Sequence, residues 1–317
     1  MFRRNGAMSK AKKRGIILLS IFIGVILAAS LTFYIVFDVK NWQKLDASRL
    51  TVLAQTSTLY DRQENIITTL KGSENRTLVT IDDIPLHTQQ AFIAAEDVRF
   101  YEHSGIDVYR IFGALRSNLQ SGSLAEGAST ITQQLAKLTH LSSEKTLRRK
   151  LEEIYLAFQI ERAYSKNEIL TMYLNTVYFG RGAYGIQAAA QAYFGVDAKD
   201  LTVAQSACLA AIIKAPSVYA PHISPESNKN RRNYILNVMY ENDFISFSAM
   251  KDAQSESLWV IAQRDEPQAY SWYVDEILRE SAQIMDCSAD EIISGGFQIY
   301  TSFDPQLQAI ADRVYED

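Results

Sequence analysis

The chain has 317 residues, which is long enough for one large domain with accessory segments. Hydrophobic residues make up 47% and charged residues 21%, an ordinary balance for a globular protein that excludes a largely disordered chain. The net charge is −4, yet the first fourteen residues hold six basic side chains and no acid, so the rest carries −10. This acidic surplus argues against nucleic acid as a partner.

An uncharged, apolar segment follows the basic residues and covers positions 15–37. It is long enough to cross a bilayer core of about 30 Å as one helix. Because the cations precede it, the sequence predicts a single-pass membrane protein with a cytoplasmic tail at 1–14 and its body on the extracytoplasmic side. Small residues at 28–30 would also suit a cleaved signal peptide, but the apolar run continues to Phe37, beyond the usual length of a signal-peptide core.

Residues 38–80 contain two β-prone stretches on either side of a polar turn, from Asp61 to Asn65. This pattern predicts a hairpin or a pair of short strands in a juxtamembrane linker. Another stretch, Phe297 to Phe303, alternates apolar and polar residues after two glycines and predicts one more strand. We therefore expect small β elements on both sides of the main domain.

The region after Pro85 has a strongly helical pattern, and proline itself suits a first helical turn. Ser165 with Glu168, and Thr202 with Gln205, have the spacing of capping boxes that open helices. The fold class predicted for the main domain is therefore mainly α.

The cysteines and histidines give no sign of a protein metal site. Cys208 lies in an apolar helical run, where a thiol packs as a small hydrophobic group. The chain has two cysteines and four histidines, and their spacing does not match known ligand patterns.

Residues 96–107, EDVRFYEHSGID, hold the first candidate for chemistry. Glu96 follows an apolar run of small residues and precedes a glycine turn, where a side chain can point into a cleft. Taken alone, Glu96 is an ordinary surface carboxylate. The spacing E-D-x-x-F-x-x-H-x-G-x-D, however, resembles the first signature of glycosyltransferase family 51, the polymerase module of class A penicillin-binding proteins.

Four further segments resemble the remaining signatures, in the family's order. They are EGASTITQQLAK (126–137), RKLEEIYLAFQIE (149–161), KNEILTMYLNTVYFGRGAYGIQAAAQAYFG (166–195) and LTVAQSACLAAIIKAPSVYAP (201–221). One departure is Leu138, where the family often has asparagine, and another is Gln205, where an acid is common. Neither belongs to the catalytic set.

The resemblance implies a peptidoglycan glycosyltransferase that polymerises lipid II by inverting β-1,4 transfer, with release of undecaprenyl diphosphate. Glu96 would be the general base on the acceptor hydroxyl, and Glu153 a second catalytic carboxylate. The substrate-binding residues that it implies are Ser129, Thr130, Gln134, Lys137, Arg149 and Lys150. The resemblance also allows a divalent cation, Mg²⁺ or Mn²⁺, at the diphosphate.

Plainer interpretations of these residues stay open at this point. Arg149 and Lys150 would suit a solvated helix face, and Glu153 could form an ordinary i,i+4 ion pair with Arg149. His103 could simply hold the glycine turn by hydrogen bonding, and Phe100 is expected in the core.

The resemblance further implies a lysozyme-like, two-lobed glycosyltransferase domain at the membrane surface, where residues 107–119 could touch the bilayer. No K-[ST]-G motif of a transpeptidase occurs, although the last segment resembles the connector that precedes one. The expected organisation is a tail at 1–14, an anchor at 15–37, a β linker at 38–80, the glycosyltransferase domain at 81–245, and a linker with the start of a missing transpeptidase region at 246–317.

The expected partners are lipid II, the growing lipid-linked glycan, the membrane and other proteins of cell-wall synthesis. Two alternatives stay open: a lysozyme-like enzyme that cleaves glycan, with water in place of the acceptor hydroxyl, and a non-catalytic cell-wall scaffold.

Overall fold

The structure is a computed structural model that describes residues 39–51, 53–70, 75–113, 129–142, 144, 146–262 and 271–316, with further positions between 19 and 37. Its class is mainly helical, as predicted. The helices are α1 Ser48–Thr51, α2 Leu86–Glu96, α3 Ile131–His140, α4 Leu147–Ala163, α5 Lys166–Thr176, α6 Ile186–Phe194, α7 Val203–Ile212, α8 Pro216–Tyr219, α9 Pro225–Glu241, α10 Phe247–Ser255, α11 Ser271–Met285, α12 Ala289–Ser294 and α13 Pro305–Glu316. Residues 108–113 are also helical.

The predicted anchor at 15–37 lies partly outside the described residues, and the tail at 1–14 lies outside them entirely. Within the anchor, positions 19, 22–28, 30, 32 and 34 are helical. Among the described positions, no helix has the length and apolar character needed to span a bilayer.

Three short strands form one sheet, in the order β2-β1-β3: β1 Ser57–Tyr60, β2 Ile66–Leu70 and β3 Gln298–Tyr300. The predicted hairpin is confirmed, since β1 and β2 pair antiparallel around a turn in which the Asp61 carboxylate accepts from the Gln63 and Asn65 amides, both at 2.8 Å. The predicted C-terminal strand is confirmed as β3, which pairs parallel with β1. Segments far apart in sequence thus share one small sheet.

The predicted helix starts are largely confirmed. Ser165 and Thr202 each accept a backbone N–H of the first turn, while Glu168 and Gln205 bind back to the capping residue. These reciprocal bonds satisfy amide groups that have no partner inside the helix. Pro85 stands one position before α2 and not within its first turn.

The main core is built around α7, which is buried along most of its length. Its small side chains, among them Cys208 with no exposed surface, allow α2 and α9 to pack closely against it. A second group consists of α3 packed against α4 and α5. Met250 and Ala253 of α10 also join the main core, so the core continues past residue 245.

Candidate active site

A cavity of about 840 Å³ lies between the end of α2, the start of α3 and one face of α9, where the two helix groups meet. Four of the predicted site residues line it: Glu96, Ser129, Gln134 and Lys137. The fold therefore brings residues of the first two signature segments together in one concave site.

The end of α2 is tied to the start of α3 through Asp97. This carboxylate is 1% exposed and accepts from the Ile131 backbone amide at 3.0 Å and from His103 Nε2 at 3.0 Å. Ile131 is the first residue of α3, so the two helix ends that carry Glu96 and Gln134 are fixed to each other. The expected turn-holding role of His103 agrees with this contact, and Phe100 is fully buried as predicted.

The glycine turn after His103 is fastened from both sides. Thr130 caps α3 and donates its hydroxyl to the Gly105 carbonyl at 2.7 Å. Gly105 has a φ of +96°, and a Cβ there would stand 3.2 Å from the backbone of Ala157 on α4, so only glycine fits this close approach without strain. Thr130 is thus buried behind the cavity wall and is not among the residues that line it.

Glu96 sits in a hydrogen-bonded chain that ends in the core. Gln134 Nε2 donates to Glu96 Oε2 at 2.6 Å, and Tyr173 donates its phenol to Gln134 Oε1 at 3.2 Å. Tyr173 is fully buried, and that burial, with the nearby Glu96, raises the pKa of its phenol well above the usual value. The phenol therefore stays a donor, which orients the Gln134 amide group with its N–H toward Glu96.

Burial raises the pKa of Glu96 above that of an ordinary glutamate. The Gln134 hydrogen bond and the positive charges of Arg231, Arg110 and Lys214 oppose this effect without cancelling it. Arg231 Nη2 is 3.9 Å from Glu96 Oε1. A carboxylic acid whose pKa is raised toward neutrality is suited to exchange a proton with a substrate.

Glu153 has a different environment, although it also comes from a signature segment. Its side chain is buried, and Arg149 Nη1 donates to its Oε2 at 2.9 Å, while Lys150 Nζ contacts its Oε1. Lys150 Nζ also donates to Ser129 Oγ at 2.7 Å. The ion pair expected from the i,i+4 spacing is present, and Ser129 connects this buried group to the cavity.

Some residues of the cavity were not singled out in the sequence. Arg110, Lys214, Arg231 and Tyr234 all line it. Arg231 is followed directly by a second arginine, Arg232, which is buried and donates to the backbone carbonyls of Gln254 and Glu256. The signal that could have separated them is helical periodicity, because adjacent residues of a helix point about 100° apart.

The residues that the structure describes contain no group of three or more His, Cys, Asp or Glu side chains that could hold a metal ion. At the predicted diphosphate position the available carboxylate is Glu153, and its two oxygens already face Arg149 and Lys150. These residues do not by themselves fit a resident divalent ion, which takes several oxygen ligands.

Comparison with known proteins identifies the family. A family model described as transglycosylase matches residues 63–240. Penicillin-binding protein 1F of Bacillus subtilis is 38% identical over 98% of this chain and 43% of its own length, and penicillin-binding protein 1A/1B of the same organism is 41% identical over 99% and 34%.

A crystal structure of penicillin-binding protein 1A from Haemophilus influenzae is 22% identical, with a TM-score of 0.45 over 82% of this chain and 29% of that one. The chain spans less than half the length of the two Bacillus relatives. Because the family model covers more than half of the chain, the chain belongs to the transglycosylase family.

Proposed function

We propose that this chain polymerises lipid II into glycan strands by inverting β-1,4 glycosyl transfer, with Glu96 as the general base. The observation that carries the proposal is the position of Glu96, a largely buried carboxylate of raised pKa in the cavity of a transglycosylase-family chain. In its ionised form it can take the proton of the acceptor 4-hydroxyl as that oxygen attacks the anomeric carbon.

The bond that breaks joins the anomeric carbon to the lipid diphosphate. Both electrons of that bond leave with the diphosphate, and undecaprenyl diphosphate is released. The negative charge that grows on the leaving group requires positive charges fixed in advance. Lys137 lines the cavity, and Lys150 is held at its edge by Ser129, with Arg149 beside it on Glu153.

In this scheme Glu153 keeps two cations in place and leaves the acceptor proton to Glu96. The divalent ion that the resemblance allows would be held chiefly by the oxygens of the substrate's diphosphate, since the protein offers it one carboxylate already paired with cations. Ser129 and Gln134 would contact the donor from the cavity wall, and Thr130 would support them from behind.

The finer fold and location follow from the same proposal. The two helix groups on either side of the cavity would be the lobes of a lysozyme-like domain, held at the outer face of the cell membrane by the segment at 15–37. Tyr109 and Phe112, in the helical residues 108–113, are 79% and 66% exposed, which would suit contact with a lipid surface; residues 114–119 of that candidate lie outside the described residues. Other cell-wall proteins would be partners.

The test is incubation of the purified chain with lipid II, followed by separation of glycan polymer and released undecaprenyl diphosphate. We expect polymer from the parent chain, and a fall of about 10²–10⁴-fold in Glu96→Gln, because general-base catalysis is typically worth that much.

The same assay separates the two alternatives. An enzyme that cleaves glycan would leave lipid II unchanged and shorten preformed glycan, whereas a scaffold would do neither. Polymer formation by Glu96→Gln at close to the parent rate would reject Glu96 as the base.

A further inference from the structure

Helix α9 turns one face toward the cavity. The residues of that face follow each other at steps of three and four, as one side of a helix requires: Arg231, Tyr234, Val238 and Asn242. The same cavity is lined by Ser129 and Lys137, and α9 packs against α2, the helix that Glu96 ends. It therefore forms the wall beside the proposed base.

Arg231 is held tightly in this wall. Its side chain is 14% exposed, and its guanidinium carbon lies 5.4 Å from the centre of the Tyr219 ring, within range of a cation–π contact. Nη2 is 3.9 Å from Glu96 Oε1, and Nε is buried with no hydrogen-bond partner among the residues that the structure describes. Among the described residues, the guanidinium thus has the Glu96 carboxylate as its ion-pair partner, and its Nε has no other acceptor.

The other groups around Glu96 act differently. Gln134 and the phenol of Tyr173 are neutral, and Arg110 directs its Nη1 to the backbone carbonyl of Glu96 itself. Lys214 lines the same cavity and contributes charge from farther away.

The neighbouring acid, Asp97, already accepts from His103 and from the backbone of α3. Within the described chain, Arg231 is the cation at ion-pair distance from the Glu96 carboxylate.

We propose that Arg231 is a positioning residue for Glu96. Its positive charge keeps the largely buried carboxylate ionised and holds Oε1 in place, while Gln134 binds Oε2. A general base acts only in its ionised form, and burial alone favours the neutral acid. An opposite charge at this distance favours the ionised form without occupying the oxygen through a short hydrogen bond. The inference rests on the proposed function, because it assigns a purpose to the ionised state of Glu96.

The test compares three variants of the full chain by the pH dependence of lipid II polymerisation. Arg231→Met should move the acidic limb of kcat/KM to higher pH by about one unit or more, the usual influence of an opposite charge at this range. Arg231→Lys should bring the limb back toward the parent position. Lys229→Met removes a cation from the same helix at an exposed position outside this cavity, and its limb should coincide with the parent's.

A second measurement does not depend on activity. In protein carrying ¹³C-labelled glutamate, the carboxyl resonance that disappears in Glu96→Gln reports the titration of Glu96. That titration should move upward in Arg231→Met and stay unchanged in Lys229→Met.

An equal loss of activity at every pH, with the Glu96 titration unmoved, would overturn the inference and make Arg231 a substrate contact or a structural residue. If the parent chain forms no polymer, the proposed function fails, while the titration still decides the role of Arg231.

Discussion

Two carboxylates near one cavity, the partly exposed Glu96 and the buried Glu153, have opposite surroundings. Glu96 has one short hydrogen bond from a neutral amide and a cation 3.9 Å from its other oxygen. Glu153 has a cation on each oxygen, Arg149 at 2.9 Å and Lys150 in direct contact. Burial raises the pKa of Glu96, so its carboxylate is suited to gain and lose a proton.

Under the proposed function, this difference gives the two glutamates separate roles. A carboxylate paired on both oxygens holds cations in place, and those cations are then available to a diphosphate on their other side. A carboxylate beside a neutral donor keeps a lone pair for the substrate. Each prediction that follows changes one side of this division.

The largest effect in this comparison is expected from Glu153→Gln. The amide cannot balance the charges of Arg149 and Lys150, so both cations lose their ion pair with Glu153, and kcat should fall about 10–100-fold. The acidic limb of the pH profile should stay with the parent, since Glu96 is untouched. Polymerisation of lipid II across a pH series measures both quantities.

The matched control is Glu152→Gln on the same helix, because Glu152 pairs with the exposed Arg148 at 3.1 Å. Its activity should stay within about twofold of the parent, because Glu152 does not line the cavity and pairs with an arginine at the surface. If the Glu153 variant shifts the limb, the two carboxylates do not have separate roles.

An intermediate effect is expected from Asp97→Asn, which weakens the link between α2 and α3. The amide has no negative charge and one acceptor oxygen in place of two, so the bonds from His103 and from the Ile131 amide weaken, and the free energy of unfolding should fall by about 2 kcal/mol. Activity should fall several-fold as the Glu96–Gln134 geometry loosens. Thermal or denaturant unfolding measures the first effect, with Asp200→Asn, at an exposed position, as the control. Equal stability of the two variants would count against the link.

The smallest effect concerns Glu96 and stability. Because its pKa is raised by folding, the folded state holds this proton to higher pH than the unfolded chain does, and its contribution to stability is lost as the pH rises through the folded pKa. Glu96→Gln should therefore melt on the order of one or two degrees above the parent at pH 8. The two melting temperatures should converge toward pH 4, and a variant that melts lower at pH 8 would contradict the burial argument.

Much of this site could be predicted from the sequence because its residues lie in contiguous signature segments. Glu96, Ser129, Gln134 and Lys137 line one cavity, as the resemblance implies. Thr130 was also predicted to bind substrate. Its hydroxyl donates to the Gly105 carbonyl, behind the cavity wall. The sequence pattern does not record which way a capping side chain turns.

Other features depend on packing between distant segments. Helical periodicity puts Arg231 and Arg232 on different faces, but the placement of α9 decides that Arg231 meets Glu96 and Arg232 meets carbonyls at the end of α10. The parallel pairing of β1 with β3 joins residues about 240 positions apart, and strands of three or four residues carry too little pattern to predict their partners.

The middle position of β1 has a mechanical consequence. The chain enters β1 at its first residue and leaves β3 at its last. Because the two strands are parallel, pulling the ends of the chain apart would load the hydrogen bonds between β1 and β3 in shear. Thr58 N to the Phe297 carbonyl at 2.8 Å and Thr301 N to the Tyr60 carbonyl at 2.9 Å would carry that load. Leu50 and Asp46, before β1, are held by the main core and by His140 of α3, so tension from the amino end would load these contacts together with the sheet.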